Sequence, residues 1–265
     1  MTIFQTVIIS IVEGITEFLP ISSTAHMRFT NPLIGLETGP FVDMFEVLIQ
    51  LAAIMAVVTI YYKKFFTFKN WNLYLKLFIA LIPAVIVGFF WKKHIDALLS
   101  NMVFIAWVMI AGGVILVFID RLFEKNKISS DTQVNNKNAF IIGCFQVLSI
   151  LFPGLSRSAA TIIGGLTQKL TRHEAAEFSF LLAVPTMFAA SVKEFWDVYK
   201  DHHDVLIRSN YITLGLGIII SYGVALIAIE FFIKFLNKHG FQLFGWYRII
   251  AGIAVLILLH MGIMK

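Results

Sequence analysis

Fourteen residues near the N-terminus, Glu13-Gly-Ile-Thr-Glu17-Phe-Leu-Pro20-Ile-Ser22-Ser23-Thr24-Ala25-His26, bring two carboxylates, a proline, three consecutive hydroxyls and an imidazole into a chain that is otherwise strongly apolar. Glu13 and Glu17 are four residues apart, so a helix sets them on one face about one turn apart. Unpaired carboxylates there repel, and even one acidic residue at mid-helix costs roughly 2.5–3.5 kcal/mol on insertion scales. A divalent cation, Mg2+ or Ca2+, held by Glu13 and Glu17 would offset that cost, as would a nearby arginine; a proton-relay pair and a structural ion pair are the other readings. Pro20 ends the first helix, and Ser22, Ser23 or Thr24 can cap the next, whose free N–H groups and positive dipole end favour an anion. His26 follows Ser23 by one helical turn and can act as nucleophile or general acid–base.

A second polar break, Pro153-Gly154-Leu155-Ser156-Arg157-Ser158, interrupts another apolar run. Ser156 and Ser158 can cap as Ser22 and Ser23 do. Arg157 is a guanidinium in an apolar setting that needs a permanent anionic partner, and its fork matches phosphate oxygens. Two capped helix ends meeting around it would make a phosphate-sized site. Simple capping, or an Arg157 bridge to Glu13 or Glu17, explains the same residues without a ligand.

The elements that must position these groups are membrane helices. Fifty-eight per cent of residues are hydrophobic and 14% charged, with a mean hydropathy of +0.83, far outside the usual shares of a soluble domain. Several runs are long enough to cross a bilayer, which takes about 20 apolar residues as helix, and none has the short alternating segments of an outer-membrane barrel. The N-terminus lacks a basic flank and a small-residue cleavage site, so no signal peptide is expected. The net charge of +5 sits at span ends and points to topology, not nucleic acid. Cys144 cannot form an internal disulfide and is expected to be a small core residue.

Residues 3–19 and the segment up to Asn31-Pro32 read as two half-helices that enter and leave on one side. Full spans follow at 41–62, 71–91 and 102–123. The polar linker 125–138 separates two halves, 1–124 and 139–265, because the pattern then restarts: 139–152 precedes the second break, 175–192 matches 41–62, 211–232 matches 71–91, and Ile249-Ile250-Ala251-Gly252 echoes Met109-Ile110-Ala111-Gly112. Aligning the prolines sets Gln146 on Glu13 and Ser156 on Ser23. The expected fold is an all-α polytopic membrane protein with an inverted-topology repeat, each half one re-entrant pair and three spans; three crossings per half force the second half upside down. One side then receives Lys63, Lys64, Lys69, Arg121, Lys125, Lys127, Lys137, Lys169, Arg172, Lys234, Lys238 and Arg248, and the other Arg28, Lys92, Lys93, Lys193, Lys200, Arg208 and Lys265. The positive-inside rule makes the first side cytoplasmic, with both termini and the first re-entrant mouth outside. His94, His202, His203, His239 and His260 are expected at exposed span ends, Thr171 as a helix cap, and Asp43, Glu46 and Glu177 as partners of helix dipoles.

Glu13-Gly-x-x-Glu17-Phe-Leu-Pro-x-Ser-Ser-Thr-x-His26 and Pro153-Gly-x-Ser156-Arg157-Ser158 resemble the two defining motifs of the undecaprenyl-diphosphate phosphatase family, also called bacitracin-resistance proteins. Phe45-Glu46-Val-Leu-Ile-Gln50-Leu, Ile82-Pro83-Ala84 and Phe178-Ser-Phe-Leu-Leu-Ala-Val-Pro185 are similar to family sequence too, so the likeness covers nearly the whole chain. The resemblance implies a bacterial plasma-membrane enzyme that removes the terminal phosphate from the C55 lipid diphosphate left after cell-wall polymerisation. It further implies recycling of the lipid carrier, bacitracin resistance, divalent-cation dependence and an outward-facing site. Carried over by position, the family's essential residues match Glu13, Glu17, Ser23 and His26, then Ser156, Arg157 and Thr161. Ala25 departs from a usual glycine, and Leu155 and Ala159 from the usual threonine and glycine. The resulting expectation is that Arg157 and the two half-helix ends, with Ser156, Ser158, Thr161, Ser22 and Thr24, hold the diphosphate. Glu13 and Glu17 then hold the metal, and Ser23 or His26 attacks phosphorus. The acid-phosphatase-like lipid phosphatases need a histidine six residues after the arginine, where Ile163 stands. A transporter or flippase of the same anion is the alternative, since broken helices and inverted repeats also describe carriers. Expected partners are the lipid substrate and the bilayer, with a second copy of the chain left open.

Overall fold

The structure, a computed structural model, describes residues 1–66, 71–123, 125, 126, 128 and 134–264. Lys69, Lys127, Lys265 and the centre of the polar linker lie outside the described residues. Among those described, the helices are α1 (Ile3–Thr16), α2 (Ser23–Leu33), α3 (Pro40–Ile60), α4 (Tyr62–Phe66), α5 (Trp71–Phe90), α6 (Lys92–Leu99), α7 (Met102–Leu122), α8 (Asn136–Leu151), α9 (Arg157–Thr167), α10 (Arg172–Asp201), α11 (Arg208–His239) and α12 (Gln242–His260). Six of them, α3, α5, α7, α10, α11 and α12, are long and apolar enough to cross a membrane. The chain is a multi-pass, all-helical membrane protein. Helices α1 and α8, of 14 and 16 residues, fall short of the length a span needs.

Each short helix is followed by a proline-containing break and an 11-residue helix, α2 or α9. Thr2 and Gln5 form a reciprocal capping box at the start of α1. Gln5 Nε2 also donates to the Gly35 carbonyl (3.0 Å), so α1 begins where α2 ends. At the opposite end of the molecule Lys64 pairs with Glu177, Arg172 with Asp120 at 2.7 Å, and the Phe241 N–H donates to Asp120 at 2.7 Å. These contacts gather the far ends of α3, α7 and α11 with the starts of α10 and α12, and with them Lys63, Lys64, Arg121 and Arg172.

Packing crosses between the halves. Helix α1 lies against α11 and α8 against α5, while α3 meets both α10 and α11, and α7 pairs with α12. The two crossings of the short helices are close enough to need glycine. A Cβ at Gly14 would stand 2.8 Å from the Ser221 carbonyl oxygen, and one at Gly143 would stand 2.2 Å from the Ala80 carbonyl oxygen. Phe18, fully buried, meets Phe180 edge-on at 5.3 Å and anchors the first break to α10.

The expected spans 41–62, 71–91 and 102–123 match α3, α5 and α7 within two residues. Helices α10 and α11 outrun the expected 175–192 and 211–232 because polar turns extend them: Thr171 caps α10, and Lys193 pairs with Asp197 along its last turns at 2.8 Å. Three expectations change. Cys144 is exposed on the outer face of α8 instead of packed in the core. Arg28 is no free loop charge: it pairs with Asp43 at 2.8 Å, beside a buried Glu46 that accepts from Asn31 at 2.7 Å. Arg248, expected among the loop charges, is fully buried. Its helix begins six residues upstream and rests on α7, so the position faces protein, not water. The five span-end histidines are exposed as expected.

Candidate active site

The two breaks meet. Ser22 caps α2 and Ser156 caps α9, each with its hydroxyl accepting from the N–H three residues on, Ala25 at 3.4 Å and Ala159 at 3.3 Å. Both serines hold positive φ, 73° and 76°, a region L-residues rarely enter without surroundings that enforce it. The cap geometry therefore equates Ser22 with Ser156, one residue away from the proline alignment. The extra residue of the second break is Gly154, whose φ of 100° suits glycine and whose added Cβ would meet the Ile105 carbonyl oxygen at 2.6 Å. Helix α2 therefore starts with Ser23 where α9 starts with Arg157.

Those two first residues share one carboxylate. Ser23 Oγ donates to Glu17 Oε2 at 2.5 Å and Arg157 Nη2 donates to Glu17 Oε1 at 2.7 Å. All three side chains are sequestered, Arg157 being 13% and Glu17 6% exposed. Arg157 Nη1 reaches the Ser179 carbonyl of α10 at 3.3 Å. A cleft of about 70 Å³ opens here, lined by Glu17, Ser22, Ser23, Thr24, Gln50, Ser156, Arg157 and Met187. Its size suits a phosphate-sized group.

Of the residues singled out in the sequence, Glu17, Ser22, Ser23, Thr24, Ser156 and Arg157 thus come together. Ser158 and Thr161 turn inward: Ser158 Oγ donates to the Leu19 carbonyl at 3.1 Å, splinting one break to the other, and Thr161 Oγ1 bonds the Arg157 carbonyl at 2.9 Å and Ser179 Oγ at 2.6 Å. His26 is also occupied. The Ser22 carbonyl can only accept, so His26 Nδ1 carries the proton to it (2.7 Å), and in the neutral ring Nε2 accepts from Tyr247 OH, again at 2.7 Å. Its ring lies outside the cleft lining. Glu13 sits behind Glu17, fully buried, and neither of its oxygens meets a hydrogen-bond donor. Gln50 and Met187 were not singled out. Gln50 lies in the Phe45–Leu51 stretch already noticed, and a polar residue two turns into a span was its signal.

The cleft's donors are a guanidinium, hydroxyls and two capped helix starts far apart in the sequence. That is an oxyanion receptor of the kind phosphoryl transfer uses. The sequence matches the family described as bacitracin resistance protein BacA over residues 6–254. The chain belongs to this family. Among curated BacA relatives, a protein of Porphyromonas gingivalis (strain ATCC 33277) is 44% identical over 280 residues, covering 99% of each chain. One of Flavobacterium psychrophilum is 47% identical over 260 residues, 98% of this chain and 97% of its own. A third, of Bdellovibrio bacteriovorus, is 42% identical over 264 residues, 99% and 98% of the two chains. All three carry the name undecaprenyl-diphosphatase. Six of the cleft's lining residues, Glu17, Ser22, Ser23, Thr24, Ser156 and Arg157, come from the two polar breaks that carry the resemblance in the sequence.

Proposed function

We propose that this chain is an undecaprenyl-diphosphatase that releases inorganic phosphate from the lipid diphosphate and leaves undecaprenyl phosphate, with the cleft between the two breaks as its active site. The family membership supplies the reaction. The observation that carries the site is the Glu17 carboxylate, which accepts from Ser23 Oγ and Arg157 Nη2 at once. A hydroxyl hydrogen-bonded to a carboxylate is a nucleophile beside its base, and a guanidinium beside them is the clamp for the group attacked.

In this reading the incoming diphosphate takes over Arg157 and the N–H groups at the starts of α2 and α9. Ser23 Oγ attacks the terminal phosphorus while Glu17 takes the hydroxyl proton. The bond from phosphorus to the bridging oxygen breaks, and undecaprenyl phosphate leaves with the electron pair and the proton from Glu17. Water, its proton taken by Glu17, then attacks the phosphoserine; the bond from phosphorus to Ser23 Oγ breaks, Oγ takes the proton from Glu17, and phosphate leaves. His26, held between Ser22 and Tyr247, orients the α2 start and does not attack.

The residues also fit a divalent cation. Glu13 offers two buried oxygens without donors, one turn from Glu17, and Mg2+ is commonly held by one or two carboxylates plus substrate phosphates. Such an ion would supply charge neutralisation on the diphosphate. Among the described residues no group of three or more His, Cys, Asp and Glu could hold a metal ion by itself.

We further read the chain as an inverted repeat of 1–124 and 139–265 joined by 125–138, with α1–α2 and α8–α9 re-entrant. The paired serine caps and the exchange of α1 onto α11 and α8 onto α5 support this. The end holding Lys64 and Arg172 is taken as cytoplasmic, and the mouth of the α1–α2 pair as external. The test is phosphate release from undecaprenyl diphosphate in detergent, where no two compartments exist. Turnover that Arg157→Ala abolishes supports an enzyme acting at this cleft; tight binding without release would make the chain a carrier.

A further inference from the structure

Arg248 has no place in the chemistry just described, yet it is the most deeply buried cation among the described residues. Its guanidinium is spent on peptide carbonyls: Nε donates to Met109 O (3.1 Å), Nη1 to Pro20 O (3.0 Å) and Leu155 O (2.7 Å), and Nη2 to Gly154 O (2.8 Å). Met109 belongs to α7, Pro20 to the first break, and Gly154 and Leu155 to the second. One side chain from α12 thus holds both breaks to each other and to a span. Among the described residues it has no carboxylate partner, and a buried unpaired cation is costly, so a compensating gain is required of its position.

We propose that Arg248 is the positioning residue that sets the two breaks at the spacing and orientation the diphosphate needs. The inference rests on the cleft being the active site. Its physical basis is the peptide plane. The peptides of both breaks are trans, no cis bond occurring among the described residues, and in a trans peptide the C=O and the following N–H point opposite ways. With the Leu155 carbonyl fixed on Arg248, the N–H of Ser156 is turned away from it, on a residue that lines the cleft. The Gly154 and Pro20 carbonyls are drawn to the same cation, so the dipoles of both breaks direct their negative ends to Arg248 and their positive ends away from it. The peptide just before Ser156, which holds a φ of 76°, is tethered in this way; in the first break the tethered peptide is Pro20–Ile21, one residue before Ser22 with its φ of 73°.

The space around the guanidinium has been cleared for it. A Cβ at Gly112 of α7 would stand 2.4 Å from Arg248 Nη2 and 3.0 Å from its Cζ. Gly112→Ala is therefore a displacement of the clamp that removes no charge or hydrogen-bonding group, and alanine favours the helix it would join.

The experiment compares Arg248→Lys, Gly112→Ala and Arg157→Ala with the parent chain, each purified in detergent, for kcat and KM of phosphate release and for the thermal midpoint. A single ammonium cannot span four carbonyls. Arg248→Lys is expected to lower kcat about 100-fold, the effect of misplacing reacting groups by about an ångström, with KM changed less than about threefold. Gly112→Ala is expected to lower kcat at least about tenfold with the same split. A residue of stability alone would lower the midpoint and leave kcat per folded molecule intact. That result in either variant overturns the proposal, as does failure of both variants to give folded protein. If Arg157→Ala turns over normally, the active-site reading falls; if it is inactive while both clamp variants match the parent, only the role of Arg248 falls.

Discussion

Glu17→Gln separates the two tasks given to Glu17, because the amide keeps the shape and changes only charge and bonding. The carboxylate accepts from Ser23 on one oxygen and from Arg157 on the other. An amide can accept on one side only and presents N–H on the other. With its oxygen toward Arg157, its NH2 faces Ser23 Oγ and the hydroxyl has no base. With its oxygen toward Ser23, NH2 faces the guanidinium and the buried cation is stranded. The first orientation is expected, since stranding one partner of a buried pair costs about 3–5 kcal/mol. Replacing a charged hydrogen bond by a neutral one then costs about 1–2 kcal/mol of stability. Loss of a general base costs roughly 100- to 10,000-fold in rate, equivalent to about 2.7–5.4 kcal/mol in the barrier. Ser23→Ala is the control: it leaves the Glu17–Arg157 pair whole and is expected to abolish turnover with stability within about 1 kcal/mol of the parent. The assay is inorganic phosphate release from undecaprenyl diphosphate at saturating lipid, beside thermal unfolding of the same samples. Turnover within about tenfold of the parent in Glu17→Gln would refute the base role.

Glu13→Gln replaces a buried carboxyl group that meets no donor and is expected to leave the thermal midpoint unchanged or raised, while the concentration of divalent cation for half-maximal activity rises at least about tenfold; an unaltered cation titration would remove Glu13 from the metal reading. Tyr247→Phe takes the donor from His26 Nε2 and should cost about 0.5–1.5 kcal/mol of stability with kcat within about tenfold of the parent. A loss beyond 100-fold would bring His26 into the chemistry, since general acid–base groups contribute about that much or more. Gly143→Ala drives a Cβ into the Ala80 carbonyl at 2.2 Å and should lower stability by about 1–3 kcal/mol or more, read as a lower unfolding midpoint. For orientation, Asp201→Cys should react with an impermeant thiol reagent on intact cells in a Cys144→Ser background, and Lys169→Cys only after permeabilisation; the reverse pattern would invert the proposed topology.

The sequence made legible whatever depends on a local pattern. Long apolar runs gave the spans, and Pro20 and Pro153 with their serines gave the two breaks, because a proline and a capping hydroxyl act within one turn of chain. Glu17, Ser23 and Arg157 were found for the same reason: they are polar residues at sites where polarity is costly. What escaped depends on which helix faces which. Arg248 reads as a span-end charge until α12 is seated on α7 with Gly112 beneath the guanidinium. Arg28 reads the same way until α2 lies beside α3 and meets Asp43. The proline alignment pairs Ser156 with Ser23, whereas cap role and backbone angle pair it with Ser22, because Gly154 lengthens the second break. Thr161 and Ser158 carried the right residue types for phosphate binding, but hydroxyl direction is a property of the packed structure.

The exchange of short helices between halves has a consequence for how the chain is made. Helix α1 finds its cover on α11, which begins at Arg208. At a synthesis rate of about 5–20 residues per second, α11 is complete some 10–45 s after α1. Until Arg157 is made the carboxylate of Glu17 lacks its cation, and until α11 is complete α1 still lacks its packing surface. The clasp of Gln5 on Gly35 can form at once, within the first few dozen residues, so the hairpin can close on itself and wait. Assembly of the proposed active centre is therefore a late event of biogenesis, and truncations before α11 should leave the first hairpin to the cell's membrane quality control.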